Sequence, residues 1–225
     1  MISFSICQKQ VHVYPSGLPN RPVIYLNTVA EADAQIYKAL GQGDGPACSL
    51  VTVTGLDWNH DMAPWDIPAI ARGGERCTGG AADYLNLLTG QILPRAEREL
   101  SEPVSWRGIA GYSLGGLFAL YALFHTDLFS RAASVSGSLW YPGLLEYVSS
   151  HEMKKKPECL YFSLGSQEHK TRNACMRTVQ QNTEKIADIC RARGIQTLFQ
   201  LTPGNHFQNP VGRTAAGITW LLEQN

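Results

Sequence analysis

No stretch of this chain stays apolar for the roughly 20 residues that a bilayer-spanning helix needs, so no such helix is expected. Met1 to Gln10 also lacks the basic start and long apolar run of a secretory leader, and the expectation that follows is a soluble protein of the cytoplasm. There is no excess of charge of either sign. Lys plus Arg number 19 and Asp plus Glu number 19, a formal net charge of zero, which provides no field for phosphate backbones. Neither nucleic acid nor a membrane surface is therefore an expected partner, and the longest basic run, Lys154 to Lys156, reads as a solvated loop. The composition implies nothing about how many copies associate.

The six cysteines (Cys7, Cys48, Cys77, Cys159, Cys175 and Cys190) form no CxxC pair, which argues against zinc and for reduced thiols. Asp57, Asp61, Asp66 and Glu75 lie with His60 in one loop but show no ligand spacing such as H-E-x-x-H, so neither a metal nor another cofactor is expected. Linkers, repeats and shifts in composition are missing as well. Residues 1-225 therefore read as a single domain with one continuous core.

What is present is an alternation of short β-branched runs with helical patterns. Strands are expected at Gln10 to Tyr14, Pro22 to Leu26, Ser49 to Thr54, Val104 to Ala110, Ala132 to Val135, Leu160 to Leu164 and Gln196 to Leu201. Helices are expected at Ala30 to Leu40, stopped by Gly41, Gly43 and Gly45, and at Leu114 to His125. Two more follow at Thr178 to Arg193, stopped by Gly194, and at Val211 to Leu222. A long one over Ala81 to Leu100 would be weakened or kinked by Gly90 and Pro94. Gly55 to Gly79 is irregular and rich in Pro, Gly and Trp, a length that compact domains keep for function. Alternating elements imply a mainly parallel sheet with helices on both faces, an α/β fold.

Gly111-Tyr112-Ser113-Leu114-Gly115 fits G-x-S-x-G, placed between a buried strand and an apolar helix. That is the nucleophile elbow: a turn so tight that the serine is strained and the residues two before and two after it, 111 and 115, must be glycine. A serine hydroxyl needs a base. His206, after the last strand and before the final helix, is the candidate; His12, His125, His151 and His169 read as surface or capping residues. The order Ser…Asp/Glu…His asks for a carboxylate just after a strand, which Glu168 meets, four residues past Leu164; Asp127, Glu146, Glu158, Glu184 and Asp188 do not. A Ser113 and His206 dyad is the alternative. Two amide donors should form an oxyanion hole, with Leu114 N–H as the first and Thr28 or Val29 N–H as the second.

With Gly111 to Gly116, Ser136-Gly137-Ser138-Leu139-Trp140 and Gly204-Asn205-His206-Phe207 on the page, the chain resembles the esterase branch of the α/β hydrolases. That branch includes S-formylglutathione hydrolase, feruloyl esterases and the trilactone esterases acting on siderophores. The resemblance spans most of the chain and implies an α/β hydrolase fold, with Ser113 as nucleophile, His206 as base and a small-molecule ester as substrate. An acyltransferase using the same residues, or an idle hydrolase fold used for binding, are the competing readings. Only about twenty residues part the strands at Val135 and Leu160, too few for a large cap domain. Tyr112, Trp58, His60, Trp140 and Tyr141 are the expected substrate contacts, while Trp65 could equally anchor its loop.

Overall fold

The computed structural model describes residues 1–41, 48–70, 73–100 and 103–224; Gly43 and Gly45, expected to stop the first helix, lie outside these. Among the described residues ten strands form in chain order: β1 (Ile2–Ile6), β2 (Lys9–Tyr14), β3 (Val23–Asn27), β4 (Ser49–Thr54), β5 (Asp66–Ile67), β6 (Cys77–Thr78), β7 (Arg107–Tyr112), β8 (Arg131–Val135), β9 (Cys159–Gly165) and β10 (Gln196–Thr202). The helices are α1 (Asp33–Leu40), α2 (Trp58–Asp61), α3 (Ala81–Leu87), α4 (Leu93–Glu97), α5 (Leu114–His125), α6 (Leu144–Ser150), α7 (Val179–Ala192) and α8 (Pro210–Glu223). Among the described residues no helix is long and apolar enough to cross a membrane.

Eight strands pair in the order β1-β2-β4-β3-β7-β8-β9-β10. The β1/β2 and β2/β4 pairs are antiparallel and the rest parallel, so the parallel strands all point their carboxyl ends to one edge. Side chains alternate between two buried layers. Val51, Val53, Ile109, Leu160 and Phe162 face a layer with α5, α6 and α7, whereas Leu50, Ala110, Val135 and Tyr161 face one with α1 and α8. Strands covered on both faces read as near-continuous apolar runs, which is why β3, β4 and β9 look unpatterned in sequence.

From Leu114 to Phe124, α5 is buried on every side, as a helix without a polar stripe must be. Its Phe118 is fully buried against Tyr84, ring centroids 5.1 Å apart. Phe118→Ala should lower stability by about 3–5 kcal/mol, read as a shift in the urea midpoint at constant slope; a loss below about 1 kcal/mol would contradict this packing.

The structure adds and divides elements. The helix expected over Ala81 to Leu100 breaks into α3, a π-helical stretch at Leu88–Ile92 and α4. Pro94 has no N–H to return to Gly90, and the widened turn absorbs the gap. The stretch from Gly55 to Gly79 contains α2 and the β5/β6 hairpin. Neither β1 nor α6 was anticipated: β1 is a half-exposed edge strand, and α6 is seven residues long with only Leu144 and Val148 buried.

Candidate active site

Ser113 stands between β7 and α5 at φ +58°, ψ −122°, a conformation that side-chain-bearing residues rarely adopt. Its surroundings enforce it. The Ser113 N–H donates to Val135 O at 3.1 Å, and its carbonyl accepts from Gly116 N–H, Leu117 N–H and, across the turn, Ser138 N–H at 3.0 Å. A Cβ on Gly111 would fall inside the Gly115 carbonyl, so the sharp bend requires glycine there.

The carboxyl edge of the sheet brings three side chains into one row. Ser113 Oγ is 3.1 Å from His206 Nε2, and His206 Nδ1 is 2.8 Å from Glu168 Oε2. Glu168 sits in a turn after β9 that is tied to the end of β10, with Ser166 N–H donating to Thr202 O and Gln167 N–H to Gly204 O. Its second oxygen accepts from Gly165 N–H at 2.6 Å, Ser136 Oγ at 2.8 Å and Arg213 Nη1 at 3.2 Å. Burial pushes the Glu168 carboxyl pKa upward, but hydrogen bonds from His206, Gly165 N–H and Ser136 outweigh it and hold the group below the usual carboxylate range. At neutral pH the carboxylate is therefore charged although its side chain is only 4% exposed. A hydroxyl, an imidazole and a charged carboxylate in this order can move a proton off the hydroxyl.

Leu114 opens α5, and an N–H in a helix's first turn has no partner within the helix. The Thr28 N–H, expected as a possible oxyanion donor, is instead spent on Val53 O at 3.0 Å, because β3 remains paired with β4 one residue longer than its own span. For the Val29 N–H no backbone partner is found among the described residues, and Val29 is 60% exposed.

A cleft of about 300 Å³ opens beside Ser113, with Trp140, Met176, Val179 and Phe207 as apolar walls and Lys170 among its polar residues. Of the expected substrate contacts only Trp140 lines it. Tyr141 is buried, its hydroxyl donating to Trp65 O at 2.6 Å, and so belongs to the core. Trp65 donates its indole N–H to Pro142 O and anchors its loop there. Trp58 packs its ring toward Gly115, and His60 bonds Thr78 Oγ1 at 2.7 Å beside Gly80. Tyr112, expected to touch substrate, turns its hydroxyl to His206 O at 2.5 Å, a latch on the backbone of the histidine loop. Among the described residues no three His, Cys, Asp or Glu side chains gather as metal ligands.

Ser136, Ser138, Met176, Phe207 and Arg213 also stand at the site, none of them singled out by the sequence pattern. Of these, Arg213 left a readable sign. It falls in the first turn of α8, where the helix dipole disfavours a cation, so a strong local partner should hold it.

Residues 10–208 match the protein family described as "Putative esterase". The chain belongs to this esterase family. It has the α/β hydrolase fold and is a carboxylic ester hydrolase. The uncharacterized protein YbbA of Bacillus subtilis (strain 168) is 27% identical over 189 residues, 80% of this chain and 75% of that one. The apo-salmochelin esterase of Escherichia coli O6:H1 is 28% identical over 147 residues, 58% of this chain and 46% of that protein. Among solved structures, the siderophore hydrolase EstB from Aspergillus nidulans superposes with a TM-score of 0.79 at 19% identity, covering 99% of this chain and 95% of that chain. At that identity the likeness to EstB speaks for the fold of this esterase.

Proposed function

We propose that this esterase cleaves its substrate through a covalent acyl-enzyme on Ser113. The observation that carries the reading is the unbroken row from Ser113 Oγ through His206 to the charged Glu168. His206 Nε2 takes the hydroxyl proton as Ser113 Oγ attacks the ester carbonyl, and the carboxylate holds the other ring nitrogen protonated. The tetrahedral oxyanion is met by Leu114 N–H, with Val29 N–H as the second donor; each such donor is worth about 3 kcal/mol of barrier. His206 then returns its proton to the leaving alkoxide, the acyl-enzyme forms, and water repeats the cycle to release the acid.

The substrate is a small-molecule ester whose flat or apolar portion lies between Trp140, Met176, Val179 and Phe207. Because one relative is named an apo-salmochelin esterase and the structural neighbour EstB a siderophore hydrolase, siderophore esters belong beside simple aryl esters in the first substrate panel. A fluorophosphonate probe should modify one residue, Ser113, with loss of all ester turnover in proportion to labelling, as read by peptide mass mapping. Active protein that stays unlabelled, or carries the label elsewhere, would remove the proposed mechanism.

A further inference from the structure

We propose that Arg213 is a positioning residue that fixes the His206 loop and the Glu168 turn against each other; this rests on the reading of Ser113, His206 and Glu168 given above. Arg213 is 3% exposed by its side chain and lies on α8, outside the segments that carry the three reacting groups. Its Nη2 donates to Pro203 O at 2.8 Å, and its Nη1 lies 3.1 Å from Asn205 O, 3.2 Å from Ser136 Oγ, 3.2 Å from Glu168 Oε1 and 3.4 Å from Tyr112 Oη. One planar guanidinium thus touches the ends of β7 and β8, the acid turn and the carbonyls on both sides of Gly204.

A buried cation is costly unless it is neutralised and hydrogen-bonded, and here the Glu168 carboxylate and the Pro203 and Asn205 carbonyls do both. The sequence makes room for it. A Cβ on Gly165 would lie 2.5 Å from Gly204 O, 2.8 Å from Arg213 Nη2 and 3.0 Å from Nη1, so glycine here lets both the histidine loop and the guanidinium approach the acid turn. Tyr112 completes the clamp, since its hydroxyl donates to His206 O while facing Arg213. The imidazole is carried by a segment with no regular structure, between β10 and α8, so its ring position depends on where these carbonyls are held. Lysine, a single point charge, cannot serve Glu168 and both loop carbonyls with the same fork of donors.

The test is a kinetic cycle on p-nitrophenyl acetate with Arg213→Met and Arg213→Lys, each in the parent and in a Glu168→Gln background. In the parent, Arg213→Met should lower kcat about 100-fold with KM unchanged within about twofold, and Arg213→Lys should restore part of the loss. With Glu168→Gln present, Arg213→Met should cost less than about threefold, because the histidine is already disabled as a base. A folded Arg213→Met enzyme with kcat within about threefold of the parent overturns the proposal, as does an equal loss in both backgrounds. If circular dichroism shows Arg213→Met unfolded, Arg213→Lys carries the same cycle with an expected loss of about tenfold and the same overturning results. Ser113→Ala run alongside separates the two claims: turnover surviving there removes the catalytic reading itself, whatever Arg213 does.

Discussion

Ser113→Ala is expected to lower ester turnover by about 10⁶-fold in kcat while leaving the fold intact. In the proposed mechanism the hydroxyl is the atom that attacks, and the hydroxyl beside it is not placed to take over. Ser138 Oγ lies 3.3 Å from Ser113 Oγ, and no hydrogen bond joins it to His206 among the described residues. Alanine carries the same strain as serine at φ +58°, and the backbone bonds to Val135 and Ser138 do not use the side chain. The urea midpoint should therefore stay within experimental spread of the parent, which separates lost chemistry from lost structure. A variant that keeps turnover within about tenfold of the parent would place the nucleophile elsewhere.

Glu168→Gln is expected to cost about 10⁴-fold in kcat, with little change in KM. The argument runs through hydrogen-bond directions. Glu168 Oε1 accepts from Gly165 N–H, Ser136 and Arg213, three donors that no amide NH₂ can satisfy. The glutamine oxygen must take that side, which turns its NH₂ toward His206 Nδ1. That nitrogen then becomes an acceptor and the ring proton moves to Nε2, the atom that should receive the proton of Ser113. The base is present in the wrong tautomer. Steady-state kinetics on p-nitrophenyl acetate measure the effect, and a loss smaller than about tenfold would favour a Ser113 and His206 pair working without the acid.

The same carboxylate makes stability depend on pH. Its folded pKa is depressed, so its contribution is present above the unfolded value, about 4.3, and is lost as pH falls through the lowered folded value. Acid unfolding curves of the parent and Glu168→Gln should converge in that range, the variant lacking this component.

The motifs of this chain were legible where steric necessity leaves a mark in residue type. The elbow shows itself because Gly111 has no room for a Cβ and one on Gly115 would crowd Asn27 O and Trp58, and the alternation of β7, α5 and β8 shows itself because apolar runs and turn residues mark each change of direction. His206 and Glu168 could be singled out because each follows a strand end, which in a parallel sheet means one common edge. Contacts between distant residues were not legible. Nothing local reveals that the Thr28 N–H is taken by Val53, that Tyr141 turns inward to Trp65, or that Tyr112 reaches His206 O. The same holds for weakly buried elements: β1 gains its place by pairing with β2 and resting Ile2, Phe4 and Ile6 on the core, and α6 by covering the layer beside α7.

The most direct measurement is an acid-quenched reaction of the parent with p-nitrophenyl acetate, sampled before steady state and mapped by peptide mass. The proposed mechanism predicts an acetyl group on Ser113 that forms and decays at rates accounting for turnover. An acetyl group on another side chain, or full turnover with Ser113 unmodified at every quench time, would contradict it.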